Sequence, residues 1–449
     1  MARVSVIVPC LNMRKYIEEC LESIVNQTLN DLEILVIDAG STDGTLDILN
    51  KFIKRDRRIY LTHSEKKSYG YQVNLGILQA AGQYIAIVDA DDRIAPDMYE
   101  VLYENAVCSG ADYVKGTAKG FYTISDELTY YMPLMQFPRK EYRNGVIEVV
   151  PAERTDLLTR DNFLWYGIFK KEFMKNISLH ESPGAAFQDL GGLLQTQMLA
   201  QKAVYLEEAF YEYRQDNVAS STYNPKGFQF VWEEYTWAEK FIANASDNWK
   251  TAFYKKLFLH TTSIYTTMTA AGQIWENSRE YVHLISEKLR CKLAANILKK
   301  EHFSEDEWED LQLLLGTESK LHKKYLDKHL YRQQQLIHIK NTAVNKKIVI
   351  FGYGNAGTFV YAQIRRHALG IVAAFCDNQP EKQGLLYDGI SVLDPAEAVS
   401  MYPDACFVIT SSKGVDAIEK QLISMKISRN QICTYTSGMD MRLFGAFIG

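Results

Sequence analysis

The sequence predicts an α/β chain, with a helix-covered parallel sheet in its first half, a helical middle, and a small second α/β unit at the end. Two observations carry this prediction. Short apolar, β-branched runs alternate with segments of helical period from residue 4 onward, and the alternation restarts near residue 347 around a glycine-rich loop.

The first strand is Val4-Ser5-Val6-Ile7-Val8, stopped by Pro9, and the second is Glu33-Ile34-Leu35-Val36-Ile37, ending at Asp38. Between them Tyr16, Ile17, Cys20, Leu21, Ile24 and Val25 recur at helical spacing, with Asn12 as the expected cap. A second helix carries Leu46, Leu49, Phe52 and Ile53, with Thr42 or Asp43 at its first turn. Tyr84-Ile85-Ala86-Ile87-Val88 then runs into Asp89-Ala90-Asp91-Asp92. Near-continuous apolar strands of this kind are buried on both faces in a parallel sheet, whose ligands lie beyond the carboxyl ends of the strands. Pro9, Asp38 and Asp89 should therefore share one rim. Packed carboxylates at a strand end hold negative charge in place, and a divalent cation bound jointly with a substrate's phosphates is a natural counter-charge.

From about Pro225 to Asn345 long helical stretches carry Trp232, Tyr235, Trp237, Phe241, Phe253, Leu257, Phe258 and Leu259 on their apolar faces. Within them Ser319 to Arg332 is basic, with Leu and Tyr at helical spacing, and reads either as a solvated face or as a surface for anionic lipid headgroups. The last unit begins with the strand Lys347-Ile348-Val349-Ile350-Phe351. The loop Gly352-Tyr353-Gly354-Asn355-Ala356-Gly357 opens a helix, and a second strand ends at Asp377, the dinucleotide-type β-α-β pattern. The expected boundaries are 1–225, 226–345 and 346–449.

In the first half Val4 to Asn12, Asp38-Ala39-Gly40-Ser41-Thr42-Asp43-Gly44-Thr45, Asn74-x-Gly76, and Gly82-x-Tyr84-Ile85 leading into Asp89-Ala90-Asp91-Asp92 resemble the successive motifs of the family 2 glycosyltransferases. The resemblance covers roughly residues 1 to 225 and implies the nucleotide-sugar transferase fold called GT-A. It puts Pro9 and Asp38 at the nucleobase and ribose, Asp89 near the ribose, and Asp91 at a Mn²⁺ or Mg²⁺ ion between the phosphates. Asp92 would orient its neighbours or cap the next segment. It also implies that Asp189, in Phe187-Gln188-Asp189, takes the proton of the acceptor hydroxyl, with Glu181 as the reserve base. Gln188 stands where the family usually has glutamate, Ala39 where it has a second acid, and Val73 where it often has arginine. Tyr211 to Ser220 resembles the family's Tyr-Arg tail, so Arg214 either meets the diphosphate or pairs with Glu212 or Asp216. Trp165 and Tyr166 form a face for a sugar ring or pack in the core.

The implied activity is inverting transfer from a nucleotide-diphosphate sugar, a UDP-sugar by resemblance, to a glycan, lipid-linked or protein acceptor in cell-surface assembly. The C-terminal unit resembles the small Rossmann-like modules of polysaccharide-assembly proteins, with Gly352, Gly354, Gly357 and Asp377 as its nucleotide-binding candidates, or else it serves as a platform. The competing readings are an NAD(P)-dependent sugar-nucleotide oxidoreductase or epimerase centred on that unit, and a non-catalytic scaffold. A net charge of −5 argues against a nucleic-acid partner, since phosphate contacts need a basic face. The seven cysteines are scattered without C-x-x-C spacing and fit reduced, buried residues. No apolar run reaches the roughly 18 residues of a membrane span, and the first strand starts almost at once. A cytoplasmic location is the expectation, with peripheral contact at the inner face of the membrane as its extension.

Overall fold

The computed structural model describes residues 2–125, 128–133, 146–148, 155–160, 163–217, 219–220, 223–273, 275–410 and 414–437. The chain divides into two compact units, residues 1–120, 133–265 and 275–318 in the first and residues 121–132, 266–274 and 319–449 in the second.

The larger sheet is built on β1 (Val4–Cys10), β2 (Leu32–Asp38), β3 (Ile59–His63), β4 (Tyr84–Ile87), β5 (Arg93–Ile94), β6 (Tyr113–Ser125), β7 (Leu128–Pro133), β8 (Val146–Glu148), β9 (Gly167–Lys170) and β10 (Lys202–Arg214); it belongs to the first unit except for β6 after residue 120 and β7 up to residue 132. The order along the sheet is β3-β2-β1-β4-β9-β6-β10-β5. β1 runs parallel to β2 and β4, and β9 turns antiparallel against β4. Alternation explains the two covered faces. Val4, Val6 and Val8 join Ile34 and Val36 in one core, while Ile7 joins Leu35 and Ile37 in the other. The register sets Cys10 opposite Asp38 and Ile7 opposite Ile87, so the ends of β1, β2 and β4 do share a rim.

The helix Tyr69–Gln79 lies directly on β1, because a Cβ on Gly76 would stand 2.5 Å from Ile7 Cγ2. Asn12 departs from its expected role. The helix Ile17–Val25 is preceded by Tyr16 at its cap, and Asn12, at φ +56°, accepts the Thr42 N–H at 2.9 Å instead. Asp43 does serve the next helix, accepting the Thr45 N–H at 3.0 Å ahead of Thr45–Arg55.

The helical stretch does not form one body. Gly227–Ala238, Arg279–Ala294 and Glu305–Gly316 belong to the first unit, and all but the first residue of Glu318–Thr342 to the second. The second unit carries β11 (Lys347–Phe351), β12 (Ile371–Cys376), β13 (Leu386–Tyr387), β14 (Ile390–Leu393), β15 (Cys406–Ile409) and β16 (Ile432–Thr434), in the order β13-β14-β12-β11-β15-β16. The glycine loop turns into the helix Asn355–Arg366, and it needs its glycines. Gly352 has φ +111°, and a Cβ on Gly357 would lie 2.0 Å from the Gly352 carbonyl oxygen. Among the described residues no helix is long and apolar enough to cross a membrane.

Candidate active site

The rim opens onto a cavity of about 350 Å³. Pro9 and Cys10 reach it from the end of β1, Asp89 and Asp91 from the turn after β4, and Tyr69 and Gln72 from the helix on β1. Gly184 to Asp189 form another wall, and Phe163, Trp165, Tyr213 and Asn217 complete it. Acids separated by a hundred residues thus meet in one hollow.

The Asp89 turn is braced from behind. Asp92, 1 % exposed, accepts the Tyr211 hydroxyl at 2.7 Å and the Arg214 N–H at 2.7 Å, which fastens the turn to β10. Asp91 Oδ2 accepts from Asn217 Nδ2 at 2.7 Å. Asp89 takes a hydrogen bond from the Tyr69 hydroxyl, yet its Oδ1 is enclosed without a partner. Burial raises the pKa of Asp89, helped by the charges of Asp91 and Asp189. It raises Asp91 as well, against the opposing pull of Asn217. These are carboxylates short of positive charge. No three His, Cys, Asp or Glu side chains among the described residues form a cage for a metal ion. A cation completed by substrate phosphates needs no such cage, only one or two carboxylates. The orphaned Oδ1 of Asp89 beside Asp91 fits that arrangement.

Asp189 stands at the start of the helix Leu190–Leu199, where capping is the ordinary job of an aspartate. Its side chain makes no capping bond and lines the cavity, close enough to Asp89 for its charge to raise the Asp89 pKa. Gln188 is bound on both sides of its amide. Its Oε1 accepts from Ser68 Oγ at 2.8 Å and from the Gly70 N–H at 2.6 Å, while Nε2 donates to the carbonyls of Ser182 and Ala185 at 2.5 and 2.8 Å. It staples the wall to the helix on β1. Glu181, the reserve base, does not line the cavity; it pairs with Lys66 at 2.7 Å and accepts from Asn74 at 3.1 Å, which lowers its pKa and weakens it as a base.

Asp38 and Arg214 do not line the cavity, and for Arg214 the pairing with Asp216 is one of its two expected outcomes. Asp38 is 2 % exposed and absent from the lining, because its carboxylate folds back on its own turn, accepting the Gly40 and Ser41 N–H groups at 2.9 and 3.0 Å. Arg214 is also absent from the lining: Nε donates to the Asp91 carbonyl at 2.7 Å, and the other nitrogens pair with Glu19 and Asp216. It supports the acidic turn from below. Glu212 instead takes Arg93 and Lys119. Tyr166 is fully buried and belongs to the core, whereas Trp165 lines the cavity at 2 % exposure, stacked 4.5 Å from Phe163 and 5.3 Å from Tyr213.

Phe163 and Tyr213 are wall residues that no motif singles out for this role. Their signal is the period-2 pairing of aromatics, Phe163 with Trp165 and Tyr211 with Tyr213, which puts each pair on one face of an extended segment.

Residues 5–164 match the model of the family described as glycosyl transferase family 2. The glycosyltransferase GlyG of Streptococcus pneumoniae is 32% identical over 215 residues, which span 47% of this chain and 70% of that protein. The chain belongs to the family 2 glycosyltransferases. The uncharacterized glycosyltransferase EpsJ of Bacillus subtilis is 29% identical over 238 residues, 52% of this chain and 67% of its own length. Among solved structures, S. aureus TarS 1–349 is similar with a TM-score of 0.52 and 16% identity, over 74% of this chain and 92% of TarS 1–349. That likeness shows the GT-A-type fold. Residues 344–433 match a family described as C2185-like, N-terminal. In that segment Gly352, Gly354, Gly357 and Asp377 line a second cavity of about 520 Å³. Asp377 accepts the Tyr353 N–H at 2.8 Å and the Gln379 N–H at 2.9 Å, with Lys382 Nζ at 3.2 Å, so its charge is already answered.

Proposed function

We propose that this glycosyltransferase is inverting and metal-dependent, taking its sugar from a nucleotide diphosphate and giving it to a hydroxyl of a glycan, lipid-linked or protein acceptor in cell-surface assembly. The supporting observation is the convergence of Asp89, Asp91 and Asp189 on one cavity. A UDP-sugar is the first donor to try, because TarS 1–349 has been solved in complex with UDP-GlcNAc.

Asp91, with Asp89 beside it, would hold Mn²⁺ or Mg²⁺, which when bound supplies positive charge to the departing diphosphate. Pro9 and Cys10 offer the nucleotide a wall at the strand end. Asp189 accepts at its carboxylate the proton that the acceptor hydroxyl loses as it attacks the anomeric carbon. One displacement without a covalent enzyme intermediate inverts that carbon. Phe163 and Tyr213, backed by the stacked Trp165, offer aromatic surface against which a sugar ring can lie, excluding water from one side. Orientation of this kind is worth roughly 7–11 kcal/mol in well-aligned systems.

The test is a panel of nucleotide sugars with Mn²⁺ and Mg²⁺, followed by NMR of the product anomer. Transfer with inversion supports the reading. Transfer with retention, or a rate unaffected by removing the metal with a chelator, rejects it. For the second unit the proposal is a nucleotide-sized pocket at the glycine loop. Titrating the full chain with NAD and NADP while following that unit's amides by hydrogen exchange tests it, and no protection at residues 352–357 favours the platform.

A further inference from the structure

Glu234 lies outside the cavity on the helix Gly227–Ala238 and is fully buried. Its Oε1 accepts the Ser182 hydroxyl at 2.6 Å and stands 2.9 Å from His180 Nδ1, and its Oε2 is enclosed with no partner. A buried carboxyl group with one bare oxygen is costly and calls for an explanation. Its two partners open the segment that ends at Asp189, whose last part, Gly184 to Gln188, lines the cavity. At the far end Gln188 is stapled to Ser68 and Gly70. Between the two anchors Phe187 has φ +64°, a left-handed conformation that a bulky residue keeps only when its surroundings impose it. The imidazole of His180 is in turn stacked on Trp237, 4.8 Å between ring centres, one turn beyond Glu234.

We propose that Glu234 is a positioning residue for glycosyl transfer, anchoring the segment His180–Gln188 so that Asp189 is presented to the acceptor. The proposal deepens the glycosyltransferase reading and rests on it.

The charges around the anchor favour a neutral acid. Asp189 faces Glu234 from the start of the next helix, Glu233 adjoins it on its own helix, and burial with these two anions pushes its carboxyl up to about 8. On the segment, burial and then Lys240 lower the pKa of His180. Across the pair, on the helix Asp247–Ala270, burial and Lys256 push His260 down to about 3, so it brings no compensating cation. Lys240 itself lies 4.1 Å over the Trp237 ring. At neutral pH the anchor therefore keeps its proton and puts no second negative charge beside the base. Above about pH 8 it ionises, and the segment is held by a carboxylate that Asp189 repels.

The test compares wild type with Glu234→Gln and Glu234→Ala by three readouts: UDP release from UDP-N-acetylglucosamine with Mn²⁺, affinity for UDP with Mn²⁺, and hydrogen exchange over residues 180–189. The alanine variant should lose turnover by about 10²-fold, as for a misplaced catalytic group, with UDP affinity unchanged and faster exchange in the segment. The glutamine variant should restore rate and protection at pH 7, and should lack the decline in turnover that wild type shows above pH 8. If the alanine variant does not fold, Ser182→Ala removes one bond of the anchor and should raise KM for the acceptor or lower kcat without touching UDP affinity. Wild-type turnover in Glu234→Ala, or an alkaline decline that persists in Glu234→Gln, overturns the proposal. Loosened exchange in Glu234→Ala together with no UDP release by wild type would confirm the anchor and reject the transferase reading on which its purpose rests.

Discussion

Asp189 opens a helix without a side-chain cap bond and lines the cavity, the position from which the proposed mechanism uses it as base. Asp189→Asn keeps the shape and removes the basicity, so turnover should fall by about 10²–10⁴-fold while a thermal melt stays within a degree or two of wild type. Gln188 gives the complementary case. Its Nε2 donates to two carbonyls, of which glutamate can satisfy one, and only when protonated. Gln188→Glu should therefore cost about 1–3 kcal/mol of stability at neutral pH, with a smaller loss below pH 5, as read by denaturant unfolding at both pH values. The sequence showed both residues but could not tell which was the staple, because hydrogen-bond partners such as Ser68 lie more than a hundred positions away.

Elements decide where those residues point. The start of the helix Leu190–Leu199 packs against the helix Gly227–Ala238 through Gly191, where a Cβ would stand 2.1 Å from the Trp237 ring. Gly191→Ala should cost about 1–3 kcal/mol through overpacking and displace Asp189 with it, visible as a lowered melting point and a lowered kcat. The same helix pair carries a pH signature. The Glu234 carboxyl keeps its proton to about pH 8 in the folded chain, against an ordinary value of 4.5. Across that window the folded state binds more protons than the unfolded one, so Glu234 makes stability fall as pH rises and contributes no further slope above it. Glu234→Gln removes that slope, and its melting point should gain on wild type steadily between pH 5 and pH 8. At this scale the strands were legible from their β-branched runs. Asn12 was not, since a polar residue before a helix serves as a cap or as a loop tie depending on what lies across from it, here Thr42.

The whole molecule combines a sheet readable from its apolar alternation with helices whose partners are set only by tertiary packing. The stretch from Pro225 to Asn345 reads as one helical region in sequence, yet most of its helices belong to the first unit and Glu318–Thr342 almost entirely to the second. Periodicity tells that a face is apolar, not what covers it. The place of the acidic turn at the sheet rim was legible, and the motif order led to Asp189 on the same cavity. Asp38 and Arg214 were legible as motif members, but only the fold shows that Asp38 closes its own turn and that Arg214, paired with Asp216 as one of its two expected alternatives, also braces the Asp91 carbonyl. On the proposed mechanism Asp91 and Asp89 would recruit a cation with a diphosphate, and Asp189 would act afterwards. Calorimetric titration of wild type, Asp91→Ala and Asp189→Asn with UDP, with and without Mn²⁺, tests it most directly. The account predicts tight binding only with Mn²⁺ in wild type and Asp189→Asn, and no Mn²⁺ enhancement in Asp91→Ala; an undiminished Mn²⁺ enhancement in Asp91→Ala would contradict it.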